Sequence, residues 1–225
     1  MAKKTTEEEI RQQNVAEAVS KTEVFFKENS KMIYGCVIAV LVIALAILCY
    51  TRFYLQPKRA EAQAEMFHAE QWFAQENYEL ALSGDDNYLG FEDIIAKYGT
   101  KGGEAVYMYA GLSALRTGDF EKAVSYLKKY DGKDPILKAR ALSALGDAYV
   151  GLEDYKAALS AYDSAIATAD NIYAAAYLMK AGITAEQLGD KAKALSYYKT
   201  VKDKYPGGPE GAEVDKFIAR IETAE

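Results

Sequence analysis

Hydrophobic positions follow two different rules along this chain. From Met32 to Thr51 there are 20 consecutive residues without a charge, bounded by Lys31 and Arg52. At roughly 1.5 Å of rise per residue such a helix spans about 30 Å, the thickness of a bilayer's hydrocarbon core. A helix buried in a soluble core normally keeps a polar face, and this run has none. Beyond Pro57 the pattern becomes alanine-rich, with apolar residues returning every three or four positions, the helical period. The prediction is an all-α chain: one N-terminal transmembrane helix, then helices in pairs.

A removable signal would open on a short basic stretch and end in small residues. Here a mixed-charge segment of 31 residues precedes the run, which ends in the bulky "CYTRFYLQ". Neither cysteine suits lipid attachment: Cys49 follows Leu48, and Cys36 follows Gly35 with no apolar stretch upstream. The run therefore reads as a permanent anchor. Tyr34, Tyr50, Phe53 and Tyr54 suit interfacial aromatic belts, although tyrosine is frequent throughout the chain. Flanking charges tie, with Lys21, Lys27 and Lys31 on one side and Arg52, Lys58 and Arg59 on the other. Lys3, Lys4 and Arg11 tilt the balance toward an internal amino terminus. A reversed topology, with the remainder in the cytosol, stays open. The tail can form a helix with Ile10, Val15, Val19, Val24, Phe25 and Phe26 loosely on one side. Such a helix either lies on a membrane or partner, or is solvated.

The remainder contains an internal repeat. "YMYAGLSALRTGDFEKAVSYLKKYDGKDP", "LSALGDAYVGLEDYKAALSAYDSAIATAD" and "LMKAGITAEQLGDKAKALSYYKTVKDKYP" align with periods of 35 and 36 residues. Gly111, Gly146 and Gly182 fall in one column; Ala123, Ala158 and Ala194 in a second; Leu127, Tyr162 and Tyr198 in a third. The small residues permit close helix approach and the large ones fill space. "TGD" and "LGD" turns offer a glycine for positive φ and an aspartate cap. Pro135 and Pro206 are expected to end second helices. This pattern resembles the tetratricopeptide repeat, a helical-hairpin solenoid with a period of about 34 residues. A damaged copy precedes it, with Ala69, Trp72, Tyr78 and Ala81 at repeat-like spacing before "SGDDNYLG" interrupts and "FEDIIAKYG" resumes. After Pro206 a short terminal helix with Val214, Phe217, Ile218 and Ile221 is expected to cover the last hairpin. The expected division is a tail (1–31), the anchor (32–51), a linker and degenerate first repeat (52–103), three repeats (104–206) and a capping helix (207–225). Pro57 is expected to mark a kink or short linker.

Charge narrows the function. The part from Arg52 onward carries 21 Lys/Arg against 27 Asp/Glu, the whole of the net charge of −6. No basic stripe suggests nucleic acid. Both cysteines lie in the anchor, so the repeats contain no disulfide framework. The single histidine, His68, sits beside Phe67 and Trp72 and reads as packed rather than catalytic. "GTKGGEAV" lacks the phosphate-loop spacing, and "GDD" is followed by too few ligands for calcium. The expectation is a non-enzymatic protein-binding chain without cofactor or metal.

The first helix of each pair lines a solenoid's concave face. Residues displaced from the core stripe there are Met108, Leu112 and Arg116, then Ser143 and Asp147, then Met179, Ile183 and Gln187. Exposed Met and Leu would suit loosely specified apolar ligands. Equally, other helices could cover this face. Repeats that clamp an acidic peptide carboxylate use Lys and Asn here, and only Lys180 would fit. Binding the acidic tail of a cytosolic chaperone is therefore not expected.

One resemblance concerns the whole arrangement. "VFFKENSK" directly before a single anchor, then "AEAQAEMFHAEQWFAQENYELAL" leading into degenerate repeats, resembles the YfgM-like ancillary subunits of the bacterial Sec translocon, over Val24 to about Leu82. "ALSGDDNYLGFEDIIAKYGT" is similar to repeat proteins of Bacteroidetes-like bacteria. The resemblance implies an inner-membrane protein with a cytoplasmic tail and periplasmic repeats. Its implied partners are the SecYEG channel, a periplasmic chaperone of the parvulin-like type and translocating clients. The same repeats would serve a different role, as a structural envelope adaptor for peptidoglycan or outer-membrane assembly machinery.

Overall fold

A computed structural model describes residues 7–168, 171 and 173–223. The chain divides into two compact units, Met1–Pro57 and Lys58–Glu225. In the first, α1 (Glu7–Glu28) and α2 (Ser30–Cys49) are joined at Asn29. The Asn29 backbone N–H and side-chain Nδ2 both donate to the Phe25 carbonyl, each at 3.0 Å. Val15, Val19, Val24, Phe25 and Phe26 are all exposed; the side chain of Ile10 lies outside the described residues. No residue of α2 is buried, and this helix is long and apolar enough to cross a membrane.

After α2 the backbone widens into a π turn, Tyr50–Leu55, and then continues as α3 (Gln56–Ala74). Pro57 therefore opens no linker; it is the second residue of α3. A proline in a regular helix lacks its N–H and collides with the carbonyl four residues back. The wider π turn just before it, where the Gln56 N–H reaches Thr51, is the kind of local adjustment that relieves such a conflict.

The second unit is built from helical hairpins. The hairpin α3/α4 (Tyr78–Ser83) is followed by an interruption and by α5 (Phe91–Tyr98). Next come α6 (Ala105–Thr117) with α7 (Phe120–Leu127), α8 (Pro135–Gly151) with α9 (Tyr155–Thr168), and α10 (Ala174–Gln187) with α11 (Lys191–Lys204). The terminal α12 (Pro209–Glu222) buries Val214, Ile218 and Ile221 and lays Phe217 against the Tyr198 ring at 5.3 Å. In the interruption, Asp85 Oδ1 accepts from the Asn87 and Tyr88 N–H groups, and Gly84 bridges to Leu89. The Tyr88 ring stacks on His68 at 3.6 Å. His68 is thus a packing residue between α3 and this loop.

One turn recurs four times. Glu76, Gly118, Glu153 and Gly189 all have positive φ, at 60°, 83°, 59° and 76°. The residue after each (Asn77, Asp119, Asp154, Asp190) donates its N–H five residues back, at 2.9 Å every time. This is the hydrogen-bond pattern that seals a helix C-terminus around a left-handed residue. The three aspartates then accept from the backbone N–H three residues ahead, capping the second helix. At Glu76 and Glu153 a side chain occupies a conformation that favours glycine.

Close approach between the two helices of each hairpin follows an equally regular rule. A Cβ added at Gly111 would stand 2.6 Å from Leu127, at Gly146 2.4 Å from the Tyr162 ring, and at Gly182 2.3 Å from the Tyr198 ring. The partner is sixteen residues on in every case, so one glycine and one large side chain interlock per repeat. The core divides accordingly. A first apolar cluster centres on Phe91, Ile94, Val106, Tyr107 and Leu127, and a second on Tyr162, Leu178, Tyr198, Val201 and Val214.

Second helices of successive repeats are pinned by polar locks. Glu92 on α5 accepts from the Tyr126 hydroxyl at 3.0 Å and pairs with Lys122 at 2.9 Å, both on α7. Asp163 on α9 takes the equivalent Tyr197 hydroxyl and Lys193, both on α11. Between α7 and α9 the lock is missing: alanines, Ala157 and Ala161, occupy the lysine and tyrosine positions, and Lys128 stands where the carboxylate would be. Lys128 instead lies over the Tyr149 ring, 5.3 Å from its centroid.

One expected helix end is corrected. Pro135 does not terminate a second helix; α7 has already closed at Leu127, and Pro135 is the first residue of α8, capped by Asp134. A proline lacks the N–H that a first-turn position does not use, so it starts helices well. Pro206 does lie beyond the end of α11.

Candidate protein-binding groove

The first helices α6, α8 and α10 together line a groove of about 530 Å³. From α6 come Leu112, Leu115 and Arg116; from α8 Arg140, Ser143, Ala144 and Asp147; from α10 and the residue before it Tyr173, Tyr177 and Lys180. Spacings of three and four residues put each set on one helix face.

Four of the eight expected groove residues meet here: Leu112, Arg116, Ser143 and Asp147. Leu112 is half-buried against the first cluster, and Ser143 is buried. The other four, Met108, Met179, Ile183 and Gln187, do not line this groove. Met108 is half-buried on the first cluster. Met179 is only 8% exposed and belongs to the second cluster, so it is not the accessible apolar contact that its helix position implied. Ile183, at 40%, is exposed.

Sequence reasoning missed Arg140, Tyr173 and Tyr177. The repeat alignment begins its second and third units at Leu142 and Leu178, whereas α8 starts seven residues earlier, at Pro135, and α10 four earlier, at Ala174. The usable signal was Asp134–Pro135, a cap and a first-turn proline, which moves the helix start upstream.

The charges divide into occupied and unoccupied. Asp147 accepts from the Tyr162 hydroxyl at 2.7 Å and from Lys180 Nζ, also at 2.7 Å. It ties α8 to α9 and α10 and is satisfied from within the fold. Burial, followed by the Asp147 charge, pushes the Tyr162 hydroxyl far up from its ordinary range. Lys180 is spoken for by the same contact. Arg116 and Arg140 are exposed and form no ion pair with any carboxylate among the described residues. Arg140 acts on two tyrosines, of which Tyr177 lines the groove and Tyr109 packs on the first cluster. Burial raises the Tyr109 and Tyr177 hydroxyls, the Glu70 charge raises Tyr109 further, and the Arg140 charge lowers both. Glu70, on α3, is raised by desolvation.

A second cavity, of about 510 Å³, is lined by Arg59, Gln63, Lys101, Gly103, Glu104, Tyr107, Lys129 and Asp131. Its charges of both signs define no single ligand chemistry.

A tetratricopeptide-repeat family model matches residues 143–209. The fold is a tetratricopeptide-like helical repeat. Among solved structures it is similar to one described as "Crystal structure of MamA protein", with a TM-score of 0.58 and 18% identity, covering 72% of this chain and 82% of that one. A second MamA structure gives 0.53 at 18% identity, with 69% and 92% covered. At this identity the likeness concerns the fold alone. No curated protein matches the chain. Repeats of this kind mediate protein–protein interaction, and α2 is the one candidate membrane span among the described residues.

Proposed function

We propose that the chain is a membrane-anchored, non-enzymatic scaffold that holds partner proteins in the groove of its repeats. The observation carrying this reading is the groove itself: three first helices present apolar, aromatic and cationic side chains side by side, and two of the cations form no ion pair among the described residues. Concave surfaces built by stacked repeats are binding surfaces. The unburied apolar face all round α2 supports the anchor.

Photo-cross-linking tests the groove. A benzophenone amino acid at Tyr173, exposed at the groove edge, is expected to capture partner proteins in cells. The same probe at exposed Glu121 on α7 is expected to capture far fewer. Equal capture from both positions would end the groove reading.

The finer reading is that the repeats face the periplasm and serve the SecYEG translocon beside a parvulin-like chaperone. Its support is the resemblance over Val24 to about Leu82. Purification in mild detergent is expected to recover translocon subunits, and translocating precursors should label from Tyr173. Resident envelope proteins labelling instead would favour the envelope adaptor. Survival of the repeats when intact spheroplasts meet protease would place them in the cytosol and overturn the periplasmic reading.

A further inference from the structure

We propose that the groove selects acidic segments of its protein partners, with Arg116 and Arg140 gripping their carboxylates; this rests on the protein-binding reading above. The charge count within the groove is the starting point. Lys180 and Asp147 cancel each other through a 2.7 Å contact, which leaves two guanidinium groups that form no ion pair among the described residues. The Glu70 charge reaches Tyr109 as that of Arg140 does, but Glu70 does not line the groove. The two arginines lie on neighbouring first helices, α6 and α8, and line the same cavity. The chain as a whole has a net charge of −6, so this local excess runs against the sign of the molecule. A charge distribution of that kind attracts a ligand of opposite charge to one place and repels it elsewhere.

Guanidinium is suited to the task. It stays charged at any working pH and offers a planar fork of donors that matches a carboxylate bidentately. The groove's other walls decide what flanks the carboxylates. Tyr173, 53% exposed, and half-buried Leu112 supply aromatic and apolar contact. The ligand is therefore an extended segment carrying Asp or Glu next to apolar side chains, not a free inorganic anion and not a purely apolar helix. The Lys and Asn clamp that the sequence lacks is replaced here by arginines from two consecutive repeats. Asp147, the one carboxylate lining the groove among the described residues, offers little repulsion because its charge is held by Lys180 and its second oxygen by Tyr162.

The test uses the full chain in detergent micelles and three labelled peptides: one alternating Asp and Leu, its twin with Asn for Asp, and a twin with Lys for Asp. Fluorescence anisotropy is expected to show the Asp peptide binding at least roughly tenfold more tightly than the Asn twin. The Lys twin is expected not to bind. Binding should weaken as ionic strength rises past about 0.15 M, where screening becomes effective within about 8 Å. Arg116→Gln with Arg140→Gln should bring the Asp peptide down to the affinity of the Asn twin. Both side chains are exposed, so an unchanged melting temperature is expected and serves as the folding control. Either arginine→Lys variant should recover part of the loss. Equal affinity for the Asp and Asn peptides, or an Asp peptide indifferent to the double substitution, overturns the proposal. Retention of inorganic phosphate in place of the peptide also overturns it. The two readings fail separately. If Tyr173 cross-links partners in cells and the peptides show no charge preference, the acidic selection falls and the groove stands. If neither cross-links nor peptide binding occur, both fall.

Discussion

Replacing Gly182 with alanine is expected to destabilise the repeats, although alanine is the better helix former. The new Cβ would stand 2.3 Å from Tyr198 Cε1, 2.7 Å from Cζ and 2.9 Å from Cδ1. Carbon pairs settle at about 3.5–4.0 Å, so the overlap exceeds roughly an ångström. The ring has nowhere to retreat. Tyr198 is fully buried, Phe217 lies against it at 5.3 Å, and its hydroxyl donates to Glu186, which also receives Arg220 at 2.6 Å. Overpacking of this kind costs about 1–3 kcal/mol, and the helix preference for alanine returns about 1 kcal/mol. Taking the upper end for an immobile ring, the net loss is about 2 kcal/mol. For a domain of this size that lowers the melting temperature by about 4–8 °C. Thermal melts by circular dichroism in detergent check the drop. A cycle with Tyr198→Ala checks the cause, because the same alanine should be neutral or stabilising once the ring is gone. An unchanged or raised melting temperature for Gly182→Ala alone, or an equal drop in the Tyr198→Ala background, would refute the interlocking argument.

Glu153→Gly should raise the melting temperature by about 1–4 °C. It relieves a left-handed residue at φ 59° worth about 1–2 kcal/mol, less the entropy that glycine adds to the unfolded chain; a lower melting temperature would count against that turn. Glu70→Gln should stabilise near pH 7. Desolvation holds the Glu70 pKa above its ordinary value, so its contribution is present at acid pH and lost as pH rises through the folded pKa. The gain from the glutamine should vanish below about pH 4, and stability curves at both pH values decide it. Ile183→Asp should leave the melting temperature nearly unchanged, whereas Leu112→Asp should lower it by several degrees, since only Leu112 packs on the core. Alkaline unfolding should precede ionisation of Tyr126, Tyr197 and Tyr198, followed residue by residue by NMR. Burial, reinforced by a neighbouring carboxylate, raises Tyr126 to about 12 and Tyr197 and Tyr198 further; stability is full below about pH 10 and lost as pH rises through the folded values. Ionisation of those three tyrosines in the still-folded chain would contradict this.

What could be read from the chain beforehand divides along physical lines. Gly111, Gly146 and Gly182 announced close packing because glycine in a helix interior is costly without a reason, and each of them does face a large side chain. The turns were equally plain wherever glycine preceded aspartate. They were harder at Glu76 and Glu153, where the same backbone carries a side chain that gives no hint of positive φ. Helix starts were misjudged when a consensus frame overrode a local signal, as at Pro135, and that error hid Arg140 and Tyr177. Burial at Met179 was out of reach for a different reason. A helix position specifies a direction, and only the neighbouring hairpin determines whether that direction is filled.

The missing lock between α7 and α9 has a mechanical consequence. Stacked repeats behave as a beam, and the outer edge of this one is braced by a carboxylate lock at two joints, while the joint between them has the Lys128–Tyr149 contact in its place. Each lock contributes roughly 1 kcal/mol against splaying, so the joint without one is expected to be the softest of the three. That joint lies directly behind the groove, whose walls α6 and α8 belong to the two hairpins it connects. A small opening of the outer edge narrows the inner one, and the spacing between Arg116 and Arg140 becomes the adjustable dimension. Installing the absent pair with Ala157→Lys and Lys128→Glu should make the span between those arginines stiffer. Spin labels at positions 116 and 140 should then report a narrower distribution of distances, and an unchanged width would show that the bend lies elsewhere. A narrower distribution would identify the alanines at positions 157 and 161 as the place where the stack is left free to flex.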